Sequence, residues 1–131
     1  MATKFVPEEL VPVIHRDLLL RYGGRPGIRD EGLLSSALAQ PRMTVGGKFA
    51  YRTLFDKAAA YGFHLCLNHP FIDGNKRVAF VIMILFLEQN GYSFKAPERD
   101  AYLMMMAVAD GKVKKPALAT WLKANSTRTS R

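Results

Sequence analysis

The stretch Asn75-Lys76-Arg77-Val78-Ala79-Phe80-Val81-Ile82-Met83-Ile84-Leu85-Phe86-Leu87-Glu88-Gln89-Asn90, residues 75–90, decides the fold of this chain. Between Arg77 and Glu88 it holds only apolar side chains, a run of ten residues, where spanning a bilayer takes about 20. A helix apolar on nearly every side must be covered on every side, which places it at the centre of a bundle. Gly91 supplies its stop.

The flanking sequence provides the covering elements. Leu10, Val11, Ile14, Leu18 and Leu19 mark one face of a helix predicted from Pro7 to Arg21, halted by Gly23 and Gly24. Asp30 is an N-cap for a second helix over Glu31–Gln40 with a face of Leu33, Leu34, Ala37 and Leu38, ended by Pro41. A third runs from Thr53 to about Asn68, a fifth from Pro97 to about Ala109 and a sixth from Pro116 to about Ala124. Arg42–Arg52, with Gly46 and Gly47 at its middle, reads as a small β-hairpin or an irregular flap, either connecting or functional. Tyr92-Ser93-Phe94 is briefly extended. The expected fold is all-α.

Composition bounds the rest. A chain of 131 residues, 49% hydrophobic and 23% charged, is one packed domain, which excludes disorder and a two-domain enzyme. The single Cys66 forms no internal bridge, and residues 1–10 carry no export signal, so the expected location is the cytoplasm, with no membrane partner. The formal charge is +8, with six of the excess cations in residues 112–131, beyond the last acid, Asp110. Residues 1–124 therefore read as the domain and 125–131 as a frayed basic tail. A solvated basic end is favoured over specific nucleic-acid binding, and an acidic protein partner is compatible with it.

The chemistry concentrates between the third and fourth helices, in Asn68-His69-Pro70-Phe71-Ile72-Asp73-Gly74-Asn75-Lys76-Arg77. An irregular segment leading into a helix N-terminus is a natural anion site, because free N–H groups and the helix dipole point at the ligand. Gly74 admits close approach, Asn75 adds an amide donor, and Lys76 and Arg77 add two cations, which suits phosphate. Asp73 would repel a bare phosphate unless a divalent cation lies between them, as when Mg²⁺ is held by one carboxylate and phosphate oxygens. His69 is the neighbour able to shuttle a proton near neutral pH. Phe71 reads as an anchor pinning the loop to the core. Asp73 also suits a helix cap, and Lys76 and Arg77 suit a solvated first turn, though cations are misplaced there without an anion. His64 and Cys66 read as structural, His15 as surface or packing, and Met104–Met106 as core filling.

The run HPFIDGNKR, residues 69–77, resembles the signature loop of the Fic/Doc family. Fic members carry the form HPFx(D/E)GNGR and the Doc branch HxFxDANKR or a close variant. Here a Doc-type lysine stands at Lys76 beside a Fic-like Pro70 and Gly74. The likeness continues through Arg21–Leu34 and Ala37–Pro41 and takes in most of residues 8–91.

The resemblance implies a compact six-helix domain with a buried central helix, whose loop binds ATP or another nucleoside triphosphate with Mg²⁺. Fic enzymes transfer the nucleotidyl group to a protein hydroxyl, with the loop histidine as base and the acidic residue on the metal. Doc toxins act as protein kinases on a threonine of elongation factor Tu and so inhibit translation. Carried over by position, His69 is the base, Asp73 the metal ligand, Gly74, Asn75, Lys76 and Arg77 the nucleotide and phosphate contacts, and Phe71 the anchor. Lys76 would obstruct the Fic pose of the nucleotide and favour the kinase. Phe80 and Val81 stand where family members often place a further polar phosphate contact. The inhibitory string (S/T)xxxE(G/N) does not occur, so restraint is expected from a cognate antitoxin that folds on binding. Two alternatives accompany the kinase: Fic-type adenylyl transfer, and a non-catalytic module binding phosphate or nucleic acid.

Overall fold

The computed structural model describes residues 2–129. Their elements run α1 (Leu10–Tyr22), α2 (Glu31–Ala39), a 3-10 turn (Gln40–Arg42), β1 (Thr44–Val45), β2 (Lys48–Phe49), α3 (Leu54–Asn68), α4 (Asn75–Gln89), β3 (Tyr92–Phe94), α5 (Glu98–Ala109), α6 (Lys115–Ala124) and β4 (Ser126–Arg128). The fold is all-α, with six α-helices among the described residues and strands only as two antiparallel pairs. No helix there is long and apolar enough to cross a membrane.

From Val78 to Leu87 no side chain of α4 is exposed, as its composition demands. The centre is nevertheless a pair, because α3 packs along α4 and is as deeply buried. Small residues permit this closeness. Ala58, Ala59 and Ala60 are fully buried, and a Cβ added at Gly62 would collide with Met83 Sδ. Tyr61 fills the space above them, its hydroxyl accepting from Val6 N at 3.0 Å. α3 starts on a reciprocal capping box between Thr53 and Asp56.

Three expectations change. Helix α1 begins at Leu10 and not Pro7, because the carbonyls of Pro7 and Glu8 are taken by a preceding turn. The second helix stops ahead of Pro41 as expected but one residue early, at Ala39, and the proline ring occupies the first turn of the 3-10 segment, where no N–H is required. The frayed tail is corrected for residues 125–129. β4 pairs with β3 from Tyr92↔Arg128 to Phe94↔Ser126, Thr129 N donates to Gly91 O, and the Arg128 guanidinium lies over the Tyr92 ring. A free strand edge beside the end of α6 offers those backbone groups partners that periodicity cannot reveal. Residues 130 and 131 lie outside the described residues.

Arg42–Arg52 contains the hairpin of β1 and β2, turning on Gly46 and Gly47, both at positive φ. Its exit is held by buried Lys57, which donates to Tyr51 O and Arg52 O. Lys115 Nζ donates to Tyr51 Oη at 2.7 Å and to His64 Nε2 at 3.0 Å. Burial first, then the Lys115 charge, lowers the His64 pKa from 6.5 to about 4.

Two predictions follow from this packing. Gly62→Ala forces Met83 and the α3–α4 contact apart and should cost about 1–3 kcal/mol, read as a lower urea midpoint with unchanged slope. His64 stays neutral in the folded protein while the unfolded chain takes up a proton near its ordinary value, so stability falls as pH drops from 6.5 towards 4. His64→Gln keeps an acceptor for Lys115 and should flatten that part of a Tm-against-pH profile.

Candidate functional site

The last residue of α3 is followed by His69 at φ 52, the one positive-φ residue other than glycine among those described. A histidine there carries backbone strain that its surroundings must offset. Arg29 does so: its Nε donates to His69 O at 2.7 Å and its Nη2 to Asn68 O at 2.9 Å. The same side chain thereby satisfies two of the carbonyls left open at the end of α3. Asn68 Nδ2 reaches Leu33 O at 2.9 Å, tying the helix end to α2.

The loop from Pro70 to Gly74 is bonded almost atom by atom to the segment after α1. Pro70 O accepts from Arg29 N and Asp30 N, and Ile72 N donates to Gly27 O. Phe71 is fully buried, its ring stacked on that of His15 with centroids 3.8 Å apart and planes at 12°. Asp73 Oδ2 accepts from Arg25 N at 3.1 Å and Oδ1 from Gly74 N at 2.9 Å. The Arg25 amide first, then the Gly74 amide, holds the Asp73 carboxyl below the ordinary carboxylate range. This exposed carboxylate therefore stays charged and aimed, with lone pairs left on each oxygen. Gly24 makes the approach possible, since a Cβ there would lie 3.2 Å from Asp73 Oδ2 and 2.8 Å from Leu19 Cδ2.

Gly74, at φ 77, is the N-cap of α4 and makes no side-chain cap. The first intrahelical donor is Val78 N, to Gly74 O, so the N–H groups of Asn75, Lys76 and Arg77 start the helix without a carbonyl partner in it. The Arg77 guanidinium lies 4.4 Å from the Tyr22 ring centroid. Neither Lys76 nor Arg77 faces a carboxylate, Arg21–Asp17 being the ion pair found among the described residues. Two unpaired cations and three open N–H groups at a helix N-terminus are the features that favour an anion there.

The Asn75 expectation is corrected. Its side chain is buried, with Oδ1 accepting from Phe71 N and Nδ2 donating to Phe71 O, both at 2.9 Å. It pins the loop rather than presenting an amide to an anion; its backbone N–H remains for that. Asp73 is likewise no conventional cap, since its carboxylate takes N–H groups ahead of the helix.

His69, Asp73, Gly74, Lys76 and Arg77 open together on one cleft of about 800 Å³, whose apolar wall includes Phe80, Val81, Met105 and Ala109. Cys66 lines it too, its thiol pushed up by burial. Among the described residues no three His, Cys, Asp or Glu side chains converge as a metal cage. A cation at Asp73 would therefore need oxygens from a bound substrate and water, the arrangement that suits Mg²⁺.

The sequence did not single out the supports. His15, left open between surface and packing, is buried on the same face of α1 as Val11. Nothing local marks Arg25 or Arg29, whose partners lie about 40 or more positions away.

A family model described as Fic/DOC family matches residues 5–87. Similar proteins include Toxin Doc of Mycolicibacterium smegmatis, 46% identical over 77 residues, which are 59% of this chain and 59% of that protein. Another is Protein kinase doc of Escherichia phage P1, 36% identical over 96 residues, 70% of this chain and 72% of that protein. The matched region thus spans less than two thirds of the first relative's length and more than two thirds of the second's.

Asn75→Ala removes both partners of the buried Phe71 backbone and should destabilise the protein by about 2–4 kcal/mol. Chemical denaturation measures the loss. Nucleotide or phosphate affinity should fall further than the fraction unfolded accounts for.

Proposed function

We propose, from the premise that this chain belongs to the Fic/DOC family and falls with its Doc branch, that it is the toxin of a toxin–antitoxin module. In this reading it is a transferase that moves the γ-phosphate of ATP, or of another nucleoside triphosphate, to a Thr or Ser hydroxyl of an elongation factor Tu-like translation factor. It acts in the cytoplasm, and a cognate antitoxin restrains it. The observation that carries the reading is the convergence of His69, Asp73, Lys76 and Arg77 on one cleft at a helix N-terminus.

Each side chain then has a distinct task. The N–H groups at the start of α4, with Lys76 and Arg77, hold the polyphosphate. Asp73 is the carboxylate for Mg²⁺, which when bound would offset phosphate charge. His69 takes the proton of the target hydroxyl as its oxygen bonds to the γ-phosphorus. The bond from that phosphorus to the β,γ-bridging oxygen breaks, and the nucleoside diphosphate leaves with the electron pair. Arg29 keeps the strained His69 backbone in place during the exchange.

Lys76 favours phosphoryl over nucleotidyl transfer. It occupies the position of a glycine in the Fic pattern, where the absence of a side chain leaves room for phosphates. The name of the phage P1 relative, a protein kinase, agrees with this choice.

Purified protein incubated with Mg²⁺, elongation factor Tu and ATP labelled at the γ- or the α-phosphate tests the proposal. The γ-label should appear on the factor, and His69→Ala should lower the rate by roughly 100-fold or more. Transfer of α-label would replace the kinase by adenylyl transfer. No label from either donor would leave a binding module.

A further inference from the structure

We infer that His15 is a positioning residue for the reaction, locking the peptide between Asp73 and Gly74 so that its carbonyl faces away from the anion. The inference rests on the transferase reading above. The ring lies 58 positions away in sequence and is only 3% exposed. Its Nε2 is 2.7 Å from Asp73 O, a carbonyl that can only accept, so Nε2 carries the hydrogen and donates it.

The consequence comes from peptide planarity. Asp73 C=O and Gly74 N–H belong to one rigid unit, and its two ends are held by different groups: the carbonyl by His15, the N–H by the carboxylate of Asp73 itself. With the oxygen held on α1, the N–H must point to Oδ1, which orients the carboxylate beside the cleft. If the unit flipped, the carboxylate would lose this bond, and a carbonyl dipole would turn its negative end towards the anion. Gly74 has the left-handed φ of 77 that this arrangement uses, and a Cβ on it would come 3.7 Å from His15 Nε2.

The stack on Phe71 supplies the other constraint. Ring centroids 3.8 Å apart at 12° set the height and tilt of the imidazole, and Phe71 is held through its backbone by Asn75. One side chain from α1 thereby spans both halves of the loop. A packing residue would need the ring and not the hydrogen.

Two variants separate these roles. His15→Phe keeps a ring against Phe71 and deletes the donor, whereas His15→Gln offers an amide donor without the ring. In His15→Phe we expect a roughly 10- to 100-fold lower kcat for phosphoryl transfer and a higher Mg²⁺ concentration for half-maximal rate, with Tm close to that of the parent. His15→Gln should recover most of the kcat. Hydrogen exchange at the Gly74 amide, followed by NMR without nucleotide, should speed up in His15→Phe while core amides of α4 stay protected.

Unchanged kcat and unchanged Gly74 exchange in a folded His15→Phe would overturn the inference. So would losses in both variants that track their losses of Tm. If the parent protein transfers no label, the transferase reading fails by itself, and the Gly74 exchange comparison still decides whether His15 locks the peptide.

Discussion

A helix without a polar face is stable in water only when other elements enclose it, and α4 imposes that constraint on the whole molecule. From Val78 to Leu87 every side chain needs cover, which α3 supplies most closely, with α1, α5 and β3 around it. Burial of the shaft leaves the ends of α4 as the places where it can meet solvent. Its N-terminus, with three open N–H groups and two cations, is therefore presented at the surface by the same packing that hides the middle. The core and the site are consequences of one helix.

The loop before this exposed helix end is fixed in place. Backbone from residues 24–30 and side chains from α1 and α4 satisfy its polar groups in turn, so the loop has few alternatives at low free energy. Preorganisation of this kind matters for phosphate chemistry, where catalysis is mostly positioning and charge stabilisation. The strain at His69 belongs to the same design: an unfavourable backbone angle is tolerated because Arg29 compensates the carbonyls on either side of it.

The hairpin and the carboxy-terminal strand are secured by other means. Lys57, Tyr51, His64 and Lys115 form a network without a carboxylate, in which a neutral imidazole serves as an acceptor for an ammonium group. The cost is sensitivity to acid, since protonation of that imidazole removes the acceptor and sets two cations side by side.

Much of this was legible in the chain order of residues. The centrality of residues 75–90, the helical class, the cap at Asp30 and the start of the third helix at Thr53 all follow from composition and spacing over a few turns, as does the clustering of polar and charged side chains in residues 69–77. Such features are local, so the physics that creates them acts between residues close in sequence. Only the tertiary structure decided that Asn75 turns inward to Phe71, that His15 and Arg29 hold the loop, and that Ser126–Arg128 closes on Tyr92–Phe94. Those pairings join residues that a linear pattern leaves unrelated, with the exception of Asn75, whose direction depends on which backbone groups the folded loop leaves unsatisfied. A hydrogen bond between distant segments is selected by where packing brings them, and packing is a property of the whole chain.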